Sequence, residues 1–240
     1  MPPFAPGSFP PPRPVQVRYA FGWGDLTAAT AELQLSRVDD RFQLNGKAQT
    51  IGLARSLWKF DAESVSTSDA RTLRPLQVKE VEHAREKEWQ TELSFAPERV
   101  TSRRTEQSEK GTKTKTRNFD FANVMSLSSA LLYFRSKPLT DGATERIVVY
   151  PSTNPYLCTV AVAGREHLTV ASGSYNAIKL EVKLNKIGKD RQLQAHRKFK
   201  HAIVWLSDDA DRLILRVESQ IFLGKVFAEL QSVQFPNGKP

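Results

Sequence analysis

From Val15 almost to the end of the chain, apolar and polar residues repeat with a period of two, and few folds accept that period. Val15, Val17, Tyr19 and Phe21 alternate with Gln16, Arg18 and Ala20. The same alternation runs through Ala29 to Leu35, Phe42 to Ala48, Trp89 to Phe95, Ile178 to Leu184 and Leu213 to Val217. It puts one face of a strand on a core and the other in water, the pattern of antiparallel sheet. Turn signals at Gly22-Trp23-Gly24, at Asp39-Asp40 and from Asn185 to Asp190 separate the runs. Many strands with short connections predict an all-β protein, mainly antiparallel: a single curved meander sheet forming a barrel, half-barrel or sandwich.

One segment departs from this period. Val124, Leu127, Leu131 and Phe134 recur at spacings of three and four, which predicts one helix over 123–136. Asn123 is the expected N-cap, and Lys137-Pro138 the stop. Coming after some eight strands, the helix is placed to plug or cap the concave side of the sheet. A shorter helical turn is expected from Leu53 to Trp58.

No Gly/Ser linker interrupts the chain, so 15–235 reads as one β-rich domain, and 240 residues suffice for a full core. Residues 1–14, half of them proline, are expected to be extended and mostly solvated. They look like a spacer left after removal of an export signal, with a polyproline ligand as the sharper alternative. Residues 236–240 read as a plain tail. No apolar run approaches the roughly 18–20 residues of a membrane-spanning helix.

The chain carries 35 basic and 26 acidic residues, net +9, which favours anionic partners, although self-repulsion for solubility explains the surplus equally. No phosphate loop, nucleophile elbow or zinc motif is present. His83, His167, His196 and His201 lack zinc-ligand spacing, so neither a cofactor nor a resident metal is implied. Cys158, the only cysteine, reads as a small buried hydrophobe.

Three groups of residues stand out. Trp205, Ser207, Asp208, Asp209, Asp211 and Arg212 form an acidic turn between two strands. Its carboxylates suit either a calcium ion or a hairpin in which they accept backbone N–H bonds while Arg212 pairs with one of them. Ser126, Ser128 and Arg135 lie on the predicted helix, where serine packing and arginine capping are the plain reading. Two basic tracts hold Arg103, Arg104, Lys113, Lys115 and Arg117 in one, and Lys189, Arg191, Arg197, Lys198 and Lys200 in the other. If they share a sheet face they can grip phosphate or uronate groups; otherwise they are solvated hairpins. Stacking aromatics are limited to Phe119 and Phe199, so a nucleic-acid platform is poorly supported.

Several phrases in order carry a resemblance. Ser66-x-x-Asp69-Ala70 is followed by Leu73-Arg74-Pro75, then by Val124 to Arg135, Val204 to Arg212, and Gly224 to Leu230. Together they resemble a bacterial exported family known as domain of unknown function 3108, over nearly the whole chain after Val15. Ile214 stands where members often carry proline after the motif arginine. The resemblance implies an antiparallel β architecture, a periplasmic or exported setting and a non-enzymatic envelope role; it supplies no catalytic residues. The leading expectation is an envelope protein binding an amphipathic or anionic ligand, such as a lipid, lipoprotein or glycan, on a curved sheet with a basic rim. The rival is an interaction module that engages an envelope protein through exposed strand edges. A third reading is a cell-wall hydrolase using Asp208, Asp209 or Glu166, which requires carboxylates converging in a cleft.

Overall fold

The alternating runs pair with their neighbours largely in chain order. A computed structural model describes residues 5–195, 201–221 and 224–236. The first part comprises β1 (Val15–Trp23), β2 (Leu26–Val38), β3 (Arg41–Thr50), α1 (Gly52–Leu57) and β4 (Phe60–Asp69). It continues through β5 (Pro75–Ala84), β6 (Lys87–Ala96), β7 (Arg99–Ser108) and β8 (Gly111–Asp120). Next come β9 (Val124–Met125), α2 (Leu127–Ser136), β10 (Thr144–Val149), β11 (Tyr156–Val170) and β12 (Gly173–Ile187). The chain closes with β13 (Leu193–Ala195), β14 (His201–Ser207), β15 (Ile214–Ile221) and β16 (Gly224–Gln234). Two-residue links such as Asp39-Asp40 are short enough to keep neighbours antiparallel, and Asp39 takes the left-handed φ of 52° that such a turn needs.

All described strands join one sheet in the order β8-β7-β6-β5-β4-β3-β2-β1-β16-β15-β14-β12-β11-β10-β9, with β13 beside β12. Only the β9–β10 pair is parallel. The sheet curls but does not close, because β8 and β9 end the order and no described ladder joins them. Side chains bridge the gap instead. Val78, Leu93 and Val100 pack against Val124, Val148 and Tyr150. Ser102 Oγ donates to the Ser152 carbonyl at 2.9 Å, and Arg117 Nη1 donates to that of Thr153 at 3.0 Å.

The concave side is plugged by α2, as its apolar periodicity predicts. Tyr133 and Phe134 pack with Ile147, Val160, Ile178 and Leu206, while Leu132 packs with Phe42 and Leu73 on the opposite side. The helix start differs from the sequence expectation. Ser126 is the N-cap, in a capping box with Ser129. Asn123 sits at φ 59° in the preceding turn, Val124 belongs to β9, and Leu127 is 62% exposed. A serine hydroxyl three residues on completes a reciprocal pair that Asn123 could not make once the strand intervenes.

The proline-rich segment is extended, as expected, and its described residues 5–14, none of them buried, are tied to the end of α2 as a strap. Gly7 N–H donates to Ser136 Oγ at 2.9 Å and Phe9 N–H to the Ser136 carbonyl at 3.0 Å. The Phe9 ring lies 3.4 Å from the Arg212 guanidinium, and Arg13 forms a two-pronged ion pair with Asp211. A Cβ on Gly7 would overlap the Ser136 carbonyl. Gly7→Ala is therefore expected to unseat the strap at a cost of about 1–2 kcal/mol, the worth of the two hydrogen bonds. Limited proteolysis should then cut before Val15, and denaturant melts should report the loss.

Candidate functional site: the concave face

Residues directly across from one another in a sheet share a face, so the register lays out the concave surface row by row. One row runs Val17, Leu33, Gly46, Ser64, Glu80, Thr91, Arg104, Lys115 from β1 to β8. The next runs Val15, Leu35, Leu44, Ser66, Val78, Leu93, Ser102, Arg117. The first row starts apolar at Val17 and Leu33, turns small at Gly46 and Ser64, and ends basic at β7–β8. The second is apolar at β1–β3, hydroxylic at Ser66, apolar and buried again at Val78 and Leu93, and becomes basic only at Arg117 on β8. The surface is thus amphipathic along the sheet as well as across it.

At the apolar end, an opening of about 90 Å³ lies between α2 and β1–β4. Val17, Leu33, Leu35, Leu44, Leu131 and Ile214 line it, and Arg135 and Arg212 close one side. In the middle, about 180 Å³ is open beside Leu33, Ser64, Glu80 and Glu82. Glu80 is pushed up to about 7, first by burial and then by the neighbouring Glu82 charge, against the pull of Arg104. Glu82 itself pairs with Arg104 at 2.8 Å. Thr91, 2% exposed, leaves its hydroxyl oxygen without a partner.

At the far end, about 460 Å³ is bounded by Trp89, Arg104, Lys113, Lys115, Arg117 and Thr153. Four residues of the first basic tract therefore do share one face. Arg103 does not: adjacent to Arg104 on a strand, it lies on the convex side, in register with Glu92 and Thr116. Lys189 and Arg191 occupy the β12–β13 turn, where Arg191 reaches the Asp120 carbonyl at 3.4 Å. They lie near the end of β8 and do not line the concave opening. Arg197, Lys198 and Lys200 lie outside the described residues.

The acidic turn and the C-terminal end of α2 form one structural lock. Arg135 donates to the carbonyls of Ala210, at 2.8 Å, and Asp211. Arg212 donates in return to the carbonyls of Arg135, at 2.7 Å, Lys137 and Pro138. The expected pairing of Arg212 with a turn aspartate is replaced by this one, because the C-terminal carbonyls of α2 need donors. Burial lowers Arg135 to about 10 and also lowers Arg212. Each aspartate has its own task. Asp209 accepts from Ser207 Oγ and from the N–H groups of Asp211 and Arg212 at 2.7–3.0 Å. Asp208 pairs with Arg165 at 2.9 Å, and Asp211 with Arg13 at 2.7 Å. No cluster suited to a metal ion occurs among the described residues.

Trp205 faces away from its neighbours Val204 and Leu206 and donates its indole N–H to Glu166, which also pairs with Lys179 at 3.4 Å. Hydrogen bonds from Trp205 and Lys179 hold the Glu166 carboxyl below its ordinary range. Glu166, Asp208 and Asp209 are thus each committed to separate partners, an arrangement that does not assemble an acid–base pair. Burial pushes the Cys158 thiol up to about 12, leaving it an inert core group. Ser126 caps α2, and Ser128 Oγ contacts Ser66 Oγ on β4. The concave carboxylates Glu80 and Glu82 were not singled out by the sequence, although their parity with buried Val78 on β5 puts them on the core face.

The sequence phrases singled out above therefore converge on α2: Ser66 at Ser128, Leu73 at Leu132, and Arg212 at the helix end. The family profile described as "Protein of unknown function (DUF3108)" matches residues 16–231. The chain belongs to the DUF3108 family. This DUF3108 chain also resembles a crystal structure of a β-barrel-like protein of domain of unknown function DUF1849 from Brucella abortus. The TM-score is 0.63 at 8% identity, covering 94% of this chain and 99% of that one, which shows the fold alone. Two further structures align with TM-scores of 0.39. One, from Parabacteroides distasonis, is provisionally designated a lipoprotein (6% identity; 96% and 99% coverage). The other, from Bacteroides fragilis, is provisionally designated an exported protein with YmcC-like fold (7% identity; 96% and 100% coverage). No curated protein matches the chain. No helix among the described residues is long and apolar enough to cross a membrane.

Proposed function

We propose that this DUF3108 protein is a non-enzymatic binding protein of the bacterial envelope that holds an anionic amphiphile along its concave face. The observation that carries this reading is the polarity of that face: an apolar opening under α2 at one end and Arg104, Lys113, Lys115 and Arg117 at the other. The envelope setting rests on the family resemblance. An opening of about 90 Å³ is far below the roughly 300–1,000 Å³ of a site for a whole small ligand. It takes the end of an acyl chain, and the rest of the ligand lies along the wider, more polar surface of β4–β8. Burial of each methylene contributes about 0.8 kcal/mol, while the bases supply orientation and attraction at a distance.

Methyl-labelled NMR titration with a short-chain phosphatidylglycerol tests the proposal. Shifts should concentrate on Leu33, Leu35, Leu44 and Leu131, and Leu33→Trp, which fills the opening, should weaken binding about tenfold or more while the fold persists. Shifts confined to convex-face residues would contradict it and favour the edge-docking alternative.

A further inference from the structure

We propose that the ligand's head group carries two anionic groups about 7 Å apart, seated on adjacent basic steps of β8; this rests on the amphiphile reading above. Lys113, Lys115 and Arg117 occupy alternate positions of one strand and share its concave face. Alternate residues of an antiparallel strand are about 6.8 Å apart, so the strand presents a ladder of cationic steps with that spacing. Arg104 stands across from Lys115, its charge met by Glu82 at 2.8 Å.

The carboxylates nearby are already engaged. Glu82 takes Arg104 at 2.8 Å and Glu106 takes Lys87 at 2.7 Å. Arg117 donates to the Thr153 carbonyl, which leaves its charge without an anion there. A single phosphate meets one step and at most its immediate neighbour. Two phosphates joined by a short bridge can meet two steps at once, and charge-assisted hydrogen bonds are formed at both.

The test uses the full chain and vesicles of phosphatidylcholine containing either diphosphatidylglycerol, whose two phosphates are separated by one glycerol, or phosphatidylglycerol at equal total charge. Lipid extracted from the vesicles by the protein is measured at matched ionic strength. Diphosphatidylglycerol should be bound about tenfold more tightly, the equivalent of one additional charge-assisted contact. Lys115→Gln removes the step that both adjacent pairs share, so it should reduce the ratio to about two or less without changing the melting temperature, because Lys115 is exposed. Equal extraction of both lipids by the unaltered protein overturns the two-anion head group but leaves the amphiphile reading intact. A ratio that persists in Lys115→Gln also overturns it. Extraction of neither lipid overturns both readings.

Discussion

Replacing Arg212 with alanine should lower the unfolding free energy by about 3–4 kcal/mol, at the upper end of single-site effects. The residue is 6% exposed, and its guanidinium donates to the carbonyls of Arg135, Lys137 and Pro138. Truncation leaves those helix-end carbonyls buried without donors. It also removes the cation on which the Phe9 ring rests, so the strap is loosened in the same step. Arg135→Ala deletes the reciprocal bonds to Ala210 and Asp211. Because the two arginines secure one contact from opposite sides, the double variant should cost at least about 1 kcal/mol less than the sum of the single ones. Arg212→Lys should recover little, since a point charge on a flexible stem does not reproduce a fork aimed at several carbonyls. Urea titrations of the unaltered protein and these four variants measure all three quantities. A loss of under about 1 kcal/mol for Arg212→Ala would mean that the helix is held by apolar packing alone.

The second large effect is pH-dependent and lies at Glu80. Its carboxyl is raised from 4.5 to about 7 in the folded protein, chiefly by burial. The folded state therefore holds a proton that the unfolded chain has released, so the penalty is absent below about pH 4.5 and fully developed above about pH 7. A shift of that size corresponds to about 3 kcal/mol. Glu80→Gln should be more stable than the unaltered protein by about that amount at pH 8, and about equal to it at pH 4. Asp61, Asp69, Glu106 and Glu166 are shifted the other way, so their effects fall at lower pH and cancel in the comparison. Denaturation curves of both proteins from pH 4 to 8 provide the test. A difference that does not change with pH would mean that the Glu80 carboxyl is solvated in the folded state.

The strands were legible because a half-buried sheet imposes its period on every residue it contains. The helix was legible in place and purpose, yet its start was misread: Asn123 is a good capping residue by type, but here it takes a turn φ of 59° before a two-residue strand. Local spacing pairs Arg212 with the nearest carboxylates, whereas its partners lie about the end of a helix far earlier in the chain. Long-range contacts of that kind leave no mark in local spacing. The basic tract was half legible: the parity that unites Lys113, Lys115 and Arg117 also separates Arg103 from Arg104, and strand alternation alone requires that. Glu80 and Glu82 were hidden among the many charges of a sheet whose other face is wet. Their significance comes from a concave side, which only the curled sheet and α2 create.

Binding of an acyl-chain ligand on the concave face should be visible as added mass. Native mass spectrometry, on protein produced with an export signal in a bacterial host and followed by organic extraction, addresses it most directly. An adduct with the mass of an anionic envelope lipid is expected, released on denaturation and lost in Leu33→Trp. A bare protein mass that stays bare after incubation with envelope lipid extract would contradict it.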